Sequence, residues 1–449
     1  MAFSDLTKNQ KGLPKDEVQA GLYALSRIVK RQENCYASTS QEATDEPSWH
    51  QKIFNGEKLA ANPFFMNAYG QLSFITTGCR LGQCSFCSYG ANTKELKPED
   101  IRVAMEEFIN KIDEYEQVYG GKVYSILFDA VGSIFDSNEF SPECLDVVFE
   151  YLEKLLEKKG YIEEIGFETH YQTLGSFDEK GNYIAAHAVD KLCEFKRKHG
   201  DKSAYVIELG FESSNPEIRD NIVFKHVDDD VYKKAIAHLH ANGVKVDLNV
   251  MATLPFLSKK EQIQSSAESV ISALSPQEIG GYGADNIVMF PLNIRENTFC
   301  KHVMDLYDAE EKKNPNFKKP VWVKDNFPIW SLVATLNTLV ESGHGDMLKN
   351  VSVAWFGNRS VESTDIPPKD FEDTYPLFVE YRKYPEKRVE IVKKLASSAK
   401  YKAFLTEAMN EEQSDISIPD RMKEVYKFLE EHSPVVSPEK FKGTSAFGG

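Results

Sequence analysis

Between Leu72 and Phe290 the chain alternates short apolar runs with longer segments of helical period, and this alternation restricts the fold more than any other feature. Leu72 to Thr76, Val123 to Phe128 and the stretches near 162–168, 204–211, 244–251 and 284–290 read as strands. The segments between them read as helices. Ile101, Met105, Phe108, Ile112 and Tyr115 recur at alternating four- and three-residue spacings, with Pro98 near the helix start. Residues 141–158, 185–198, 229–242 and 259–274 complete the set, and Gly243 stands where a C-cap is expected. Six strands alternating with helices predict a parallel sheet with right-handed crossovers. The expected fold class is therefore α/β, a partial (β/α)6 TIM-type barrel. An open doubly wound sheet is the alternative, against which no strand is followed by Gly-x-Gly-x-x-Gly.

The flanks read differently. Residues 1–69 are expected to form an N-terminal helix over 14–32 and a polar adaptor loop, and 70–292 the barrel. Residues 293–449 are expected to be a mainly helical C-terminal region: Phe327 to Leu339 is largely apolar, 375–397 carry aromatics and charges, and 399–410 and 420–431 are amphipathic. The last dozen residues are expected to fray.

Directly after the first barrel strand come Cys79, Cys84 and Cys87, three of the seven cysteines within nine residues. Thiolates are the ligands that iron–sulfur clusters require, and three on one short loop can hold three irons of a cubane and leave the fourth open. Their position suits such a site, since ligands of α/β sheets bind beyond the carboxyl ends of the strands. Gly78 and Gly82 allow the tight backbone that the loop needs. A structural zinc site is the competing reading, but no second C-x-x-C or H-x3-H is nearby. Cys35, Cys144, Cys193 and Cys300 are scattered and read as ordinary core or surface thiols.

Composition narrows the partners. Lys and Arg total 53 against 69 Asp and Glu, a net charge of −16 and the wrong sign for phosphate neutralisation. No apolar run approaches the roughly 20 residues that span a bilayer, and the first fifteen residues hold no signal-peptide core, so no membrane association is expected. The sparse cysteines suit a reducing compartment, and the expected location is cytoplasmic.

The segment from Ile75 to Gly90, with its three cysteines, resembles the radical S-adenosylmethionine (SAM) superfamily over roughly residues 70–292. The spacing is four residues then two, where three then two is usual there. Further pieces resemble the archaeosine synthase radical SAM subunit, itself related to the catalytic subunit of Elongator: Phe128 to Asp136, Glu208 to Asn215 with Ile218 and Arg219, Leu254 to Leu257 with Lys260 to Ile263, Pro291 to Asn293 with Thr298, and Pro328 to Ser331. The resemblance implies a 4Fe–4S cluster on Cys79, Cys84 and Cys87, with SAM on the open iron. It implies that Phe86 lies against the adenine and that Gly132 and Ser133 lie where the methionine amino group binds. Glu212, Ser213 and Arg219 would sit near the ribose or the methionine carboxylate. A surface salt bridge is the plainer reading of Arg219.

The third strand ends Glu168-Thr169-His170, and the family often carries Arg where His170 stands. Glu168 and His170 are therefore candidate catalytic or substrate-contacting residues, with a hydrogen-bonded structural histidine as the alternative. Asn249, as a cofactor contact, and Asn293 are further cavity candidates. The expected function is reductive cleavage of SAM to a 5′-deoxyadenosyl radical that abstracts hydrogen from a small amine- or amino-acid-like substrate, leading to C–N cleavage or rearrangement. The electron donor would be a flavodoxin or ferredoxin. A tRNA-modifying lyase of the archaeosine type is the disfavoured alternative, because of the acidic balance. A non-catalytic iron–sulfur or zinc module is the alternative of another class.

Overall fold

The computed structural model describes residues 17–31, 49–54, 68–76, 79, 81–87, 95–292, 298–323, 329–353, 373–411 and 414–433. The expectations for Cys35, Gly78, Asn293, Phe327, Pro328, most of the adaptor loop and the last dozen residues lie outside the described residues.

One eight-stranded sheet organises the chain, in the order β1 (Trp49–Phe54), β2 (Ala68–Phe74), β3 (Val123–Ala130), β4 (Glu164–Thr169), β7 (Ala204–Glu212), β8 (Lys245–Met251), β9 (Asn286–Phe290) and β10 (Val351–Val353). Strands β2 to β10 of this sheet run parallel, and β1 pairs antiparallel with β2 at one edge. The order follows the sequence, as in a (β/α) barrel, and among the described residues no pairing joins β1 to β10. The result is a partial barrel.

Two strands go beyond the six that the sequence predicts. The adaptor stretch supplies β1. The C-terminal region, expected to be mainly helical, supplies β10, which pairs with β9 through Val351 and Ile287. A three-residue strand carries no usable period. It is fixed from outside: the Arg388 guanidinium donates to the carbonyls of Leu348, Lys349 and Val351 at 2.9–3.0 Å, and the Tyr381 hydroxyl donates to Val351 O at 2.8 Å. A small hairpin, β5 (Gly175–Phe177) with β6 (Tyr183–Ala185), interrupts the stretch between β4 and the next helix. Its turn is set by Asp178, whose carboxylate accepts from the backbone N–H groups of Lys180 and Asn182.

The strand period of two sorts each strand into faces. One set packs outward against the helices and is fully buried: Leu72 and Phe74, Ile126 and Phe128, Ile165 and Phe167, Ile207, Leu209 and Phe211, Val246, Leu248 and Val250, Ile287 and Met289. The covering helices are α2 (Pro98–Tyr119), α3 (Pro142–Lys158), α4 (His187–His199), α5 (Asp229–Ala241) and α6 (Lys259–Leu274). Their starts carry the expected signals: Pro98 in the first turn of α2, a Ser141 hydroxyl cap on α3, and a Ser258–Glu261 capping box on α6. The opposite set faces the barrel interior and is largely polar.

A second apolar core lies against the loops at the carboxyl ends of the strands. Helix α1 (Glu17–Arg31), α7 (Phe299–Lys313) and the terminal α12 (Ile418–His432) meet there, through Leu22, Leu25, Phe224, Phe299, Val303, Val425 and Leu429. Arg421 of α12 closes the assembly with two hydrogen bonds to the Glu261 carboxylate, at 2.6 and 2.9 Å, and one to Phe256 O. Helices α8 (Ile329–Glu341), α9 (Tyr375–Lys383), α10 (Arg388–Ser397) and α11 (Ala399–Asn410) continue the outer layer past β9. No helix of the described residues is long and apolar enough to cross a membrane.

Candidate active site at the mouth of the barrel

A cavity of about 700 Å³ opens at the carboxyl ends of the parallel strands, and Cys79, Cys84 and Cys87 all line it. The six described cysteines form no disulfide. The cysteine loop is tied down from three sides. Ser85 N–H donates to Val223 O at 3.0 Å, and its hydroxyl donates to Ile222 O at 2.5 Å. Gln83 donates to Phe224 O at 3.1 Å and accepts from Arg27 of α1 at 2.6 Å, while the Ser26 hydroxyl donates to Gln83 O. Cys300 N–H of α7 donates to Ser85 O at 3.0 Å. Gly82 has φ +54, a conformation open to glycine at little cost. The short loop is thus held by hydrogen bonds to three distant parts of the chain.

Gly132, at the end of β3, packs directly against this loop. A Cβ there would stand 1.8 Å from Glu139 Oε2 and 2.6 Å from Cys79 Cα. Glu139 accepts from Ser133 N–H at 2.9 Å and lies 3.9 Å from His170 Nε2. Cys79 Sγ, a Glu139 oxygen and a His170 ring nitrogen all lie within 4.8 Å of one another. Burial, then the charges of Glu139 and Cys84, push the Cys79 thiol up to about 12. Three thiols lining one cavity, with an aromatic side chain (Phe86) beside them, are a donor set that fits an iron–sulfur cluster.

The candidate residues divide into two groups. Phe86, Gly132, Glu168, His170, Glu212 and Asn249 line the same cavity as the cysteines. Ser133, Ser213 and Arg219 do not. The Ser133 hydroxyl turns into the wall and bonds Thr169 Oγ1 and Thr173 Oγ1, while its N–H serves Glu139. Ser213 packs against Ser265 and Ser269 of α6. Arg219 is not a surface residue: it is 1 % exposed, and its guanidinium binds Asp229 at 2.7 Å, Ser213 O at 3.1 Å and the Tyr282 hydroxyl at 3.3 Å. Its role here is to hold the turn after β7.

Sequence reasoning missed the partner of Glu212. Lys225, 5 % exposed, donates to Glu212 Oε1 at 3.0 Å and to Gly210 O at 2.7 Å. Burial works against its charge, but Glu212 and the nearby Cys84 hold its pKa above the usual lysine value. Glu212 (φ 66) and Phe224 (φ 61), the residue before Lys225, both adopt left-handed backbone. Such conformations cost energy for non-glycine residues and recur at functional sites. The only sequence signal was a lysine following an apolar run, which is common.

Also missed was the acidity of the interior. Glu168 on β4 is in register with Glu208 on β7, and Glu208 with Asp247 on β8. Burial and mutual repulsion raise all of these carboxyl groups. Burial takes Asp129 to about 6 and Glu208 to about 7, the latter despite a hydrogen bond from Asn249. Glu168 is raised well above the usual range by burial and by the charges of Glu208, Asp129 and Glu212.

No family model matches the sequence, and a search of the curated proteins gives no match. Among solved structures the chain is similar to the archaeal Methanocaldococcus infernus Elp3, at 17% identity and TM-score 0.34, covering 56% of this chain and 51% of that one. It is similar to the radical SAM methyltransferase TsrM from Kitasatospora setae, solved with cobalamin and a 4Fe–4S cluster, at 10% identity and TM-score 0.39, covering 72% and 61%. It is also similar to the coproporphyrinogen III oxidase HemN of Escherichia coli, described as a radical SAM enzyme, at 16% identity and TM-score 0.33, covering 60% and 51%. The chain thus spans less than two thirds of each of these proteins, and values this low assign it neither a family nor a reaction.

Proposed function

We propose that the protein is a radical SAM enzyme acting on a small substrate that carries an amine or amino-acid-like group. One observation carries the reading: the three cysteines, on a loop fixed by hydrogen bonds from α1, α7 and the 222–224 segment, line the cavity at the carboxyl ends of the parallel strands. Cys79, Cys84 and Cys87 would hold three irons of a 4Fe–4S cluster. When bound, the cluster and SAM supply a one-electron reductive cleavage that yields a 5′-deoxyadenosyl radical for hydrogen abstraction.

The chain's own residues bind, orient and exclude water. Phe86 offers an aromatic face beside the cluster loop for the adenine. The Glu212–Lys225 pair sets one acceptor and one cation at the end of β7, suited to the ribose hydroxyls and the methionine carboxylate. Gly132, without a side chain, lets the end of β3 pack directly against Cys79 and Glu139. Below them, Glu168, His170 and Asn249 face the substrate. An interior lined with carboxyl groups disfavours a polyanion and supports an amine over tRNA. With no disulfide among its described cysteines, the protein suits a reducing compartment, the cytoplasm, with a flavodoxin or ferredoxin as electron donor.

The test is anaerobic reconstitution with iron and sulfide, then dithionite and SAM. We expect the broad visible absorption and paramagnetic signal of a cubane, perturbed by SAM, and release of 5′-deoxyadenosine. Replacing the three cysteines by alanine should abolish all of these. Stimulation of release by bulk tRNA, and not by amine substrates, would reverse the substrate preference.

The Cys79–Glu139–His170 cluster favours a second reading, a zinc site without SAM chemistry. It predicts one zinc per chain in aerobically purified protein, retained after Cys84→Ala and Cys87→Ala and lost after His170→Ala.

A further inference from the structure

The barrel interior below the cysteine loop is polar in a one-sided way. Asp129, Glu168, Glu208 and Glu212 line the cavity, and Lys225 is the only lysine or arginine among its described lining residues. That lysine already binds Glu212 and Gly210 O. Asp129 Oδ2 accepts from Gln71 at 2.7 Å, but its Oδ1 is buried and has no hydrogen-bond partner. Asn249, 7 % exposed, gives its amide to Glu208, and its Oδ1 is also buried without a partner. Both orphaned atoms are acceptors. A buried acceptor left without a donor is costly, so these two in one cavity wall suit a ligand that brings N–H groups; the two ring nitrogens of His170, in the same wall, are also buried without a partner. A primary ammonium has three donors and no acceptor, and a positive charge offsets the neighbouring carboxylates.

We propose that the floor of this cavity is a subsite for the primary ammonium group of the substrate, bound by Asp129, Glu168, Glu208 and the Asn249 carbonyl oxygen. It deepens the reading given above and rests on it only for the reaction that follows binding. The subsite lies on the strands β3, β4, β7 and β8, whereas the proposed cofactor contacts are the cysteine loop, Gly132, Lys225 and Glu212, the last residue of β7.

Binding is linked to protons. The titratable and polar groups lining the subsite are Asp129 from β3, Glu168 from β4 with His170 just after it, Glu208 and Glu212 from β7, Asn249 from β8, Lys225 from the segment after β7, and the three thiols above; Asp247 of β8 stands in register with Glu208. Burial raises Asp129 to about 6 and Glu208 to about 7, so these two carboxyl groups are partly protonated near pH 6.5. An ammonium group favours their ionised forms, so protons leave as it enters.

The experiment uses the full chain without cluster or SAM and three probes of equal length: pentylamine, pentanol and pentanoate. Isothermal titration is run near pH 6.5 in two buffers that differ in ionisation enthalpy. Pentylamine is expected to bind, with heats that differ between the buffers by the protons released. Pentanol and pentanoate are expected not to bind. Glu168→Gln and Glu208→Gln should each weaken pentylamine by about tenfold or more, the scale of one lost charge-assisted hydrogen bond. Both changes are isosteric and remove a buried charge, so urea unfolding should confirm that the fold is kept.

Absence of pentylamine binding, equal binding of pentanol, or no effect of either substitution would overturn the proposal. So would competition by SAM, which would assign the subsite to the cofactor's own amino group. The two readings fail separately. The variant with all three cysteines replaced by alanine loses the cluster and should still bind pentylamine, whereas failure of pentylamine to bind leaves cluster assembly and SAM cleavage untouched.

Discussion

The ammonium of Lys225 and the carboxylate of Glu212 meet at 3.0 Å in a cavity wall where the two side chains are 7 % and 11 % exposed. Breaking such a pair from one side strands the other charge. Lys225→Met is expected to cost about 3–5 kcal/mol, because Glu212 stays buried without its cation. Adding Glu212→Gln should recover much of that loss. Urea unfolding of the cluster-free protein, read as a double-mutant cycle, checks both outcomes.

Gly132, two residues past β3, meets the cysteine loop at the Cys79 backbone. Gly132→Ala forces a methyl group against the Glu139 carboxylate and the Cys79 backbone. The expected result is a loss of about 1–3 kcal/mol from overpacking, together with reduced iron content after reconstitution. Iron assay and denaturation of the same sample separate the two effects.

Gln83 bridges the cysteine loop to α1 and to Phe224. Gln83→Ala leaves the Phe224 carbonyl without that donor, at a cost of about 1–3 kcal/mol. Bound iron should also pass to an external chelator faster than from the unaltered protein, because the loop loses two of its anchors. The rate of iron transfer is the measurement.

Stability should depend on pH in an unusual direction. Asp129 and Glu208 titrate near 6 and 7 in the folded chain, above ordinary carboxyl groups near 4. Between about pH 4 and 7 the folded state therefore holds more protons than the unfolded state, and stability falls as pH rises, by up to about 1.4 kcal/mol per pH unit for each such group. Glu261 and Asp285 are shifted the other way and lose their contribution only as pH falls below about 4. The cluster-free protein should thus unfold at higher urea near pH 5 than near pH 8. Asp129→Asn with Glu208→Gln should flatten that profile.

Local sequence determined a good deal. The spacing of Cys79, Cys84 and Cys87, the glycine at 82 and the alternation of strands and helices are properties of neighbouring residues, and they marked both the cysteine loop and the parallel sheet. Six of the seven parallel strands were legible because each is long enough to show its apolar run. The other decisions belong to tertiary structure. Strand β10 exists because Arg388 and Tyr381 hold a three-residue segment in place. Arg219 turned from the cavity because Asp229 and Tyr282 satisfy it elsewhere. The row of Glu168, Glu208 and Asp247 appeared only when β4, β7 and β8 were set in register, since a strand's own period says which residues share a face and never what stands opposite. Chemistry carried by adjacent residues can be read along the chain, whereas chemistry made by residues dozens of positions apart depends on register and packing.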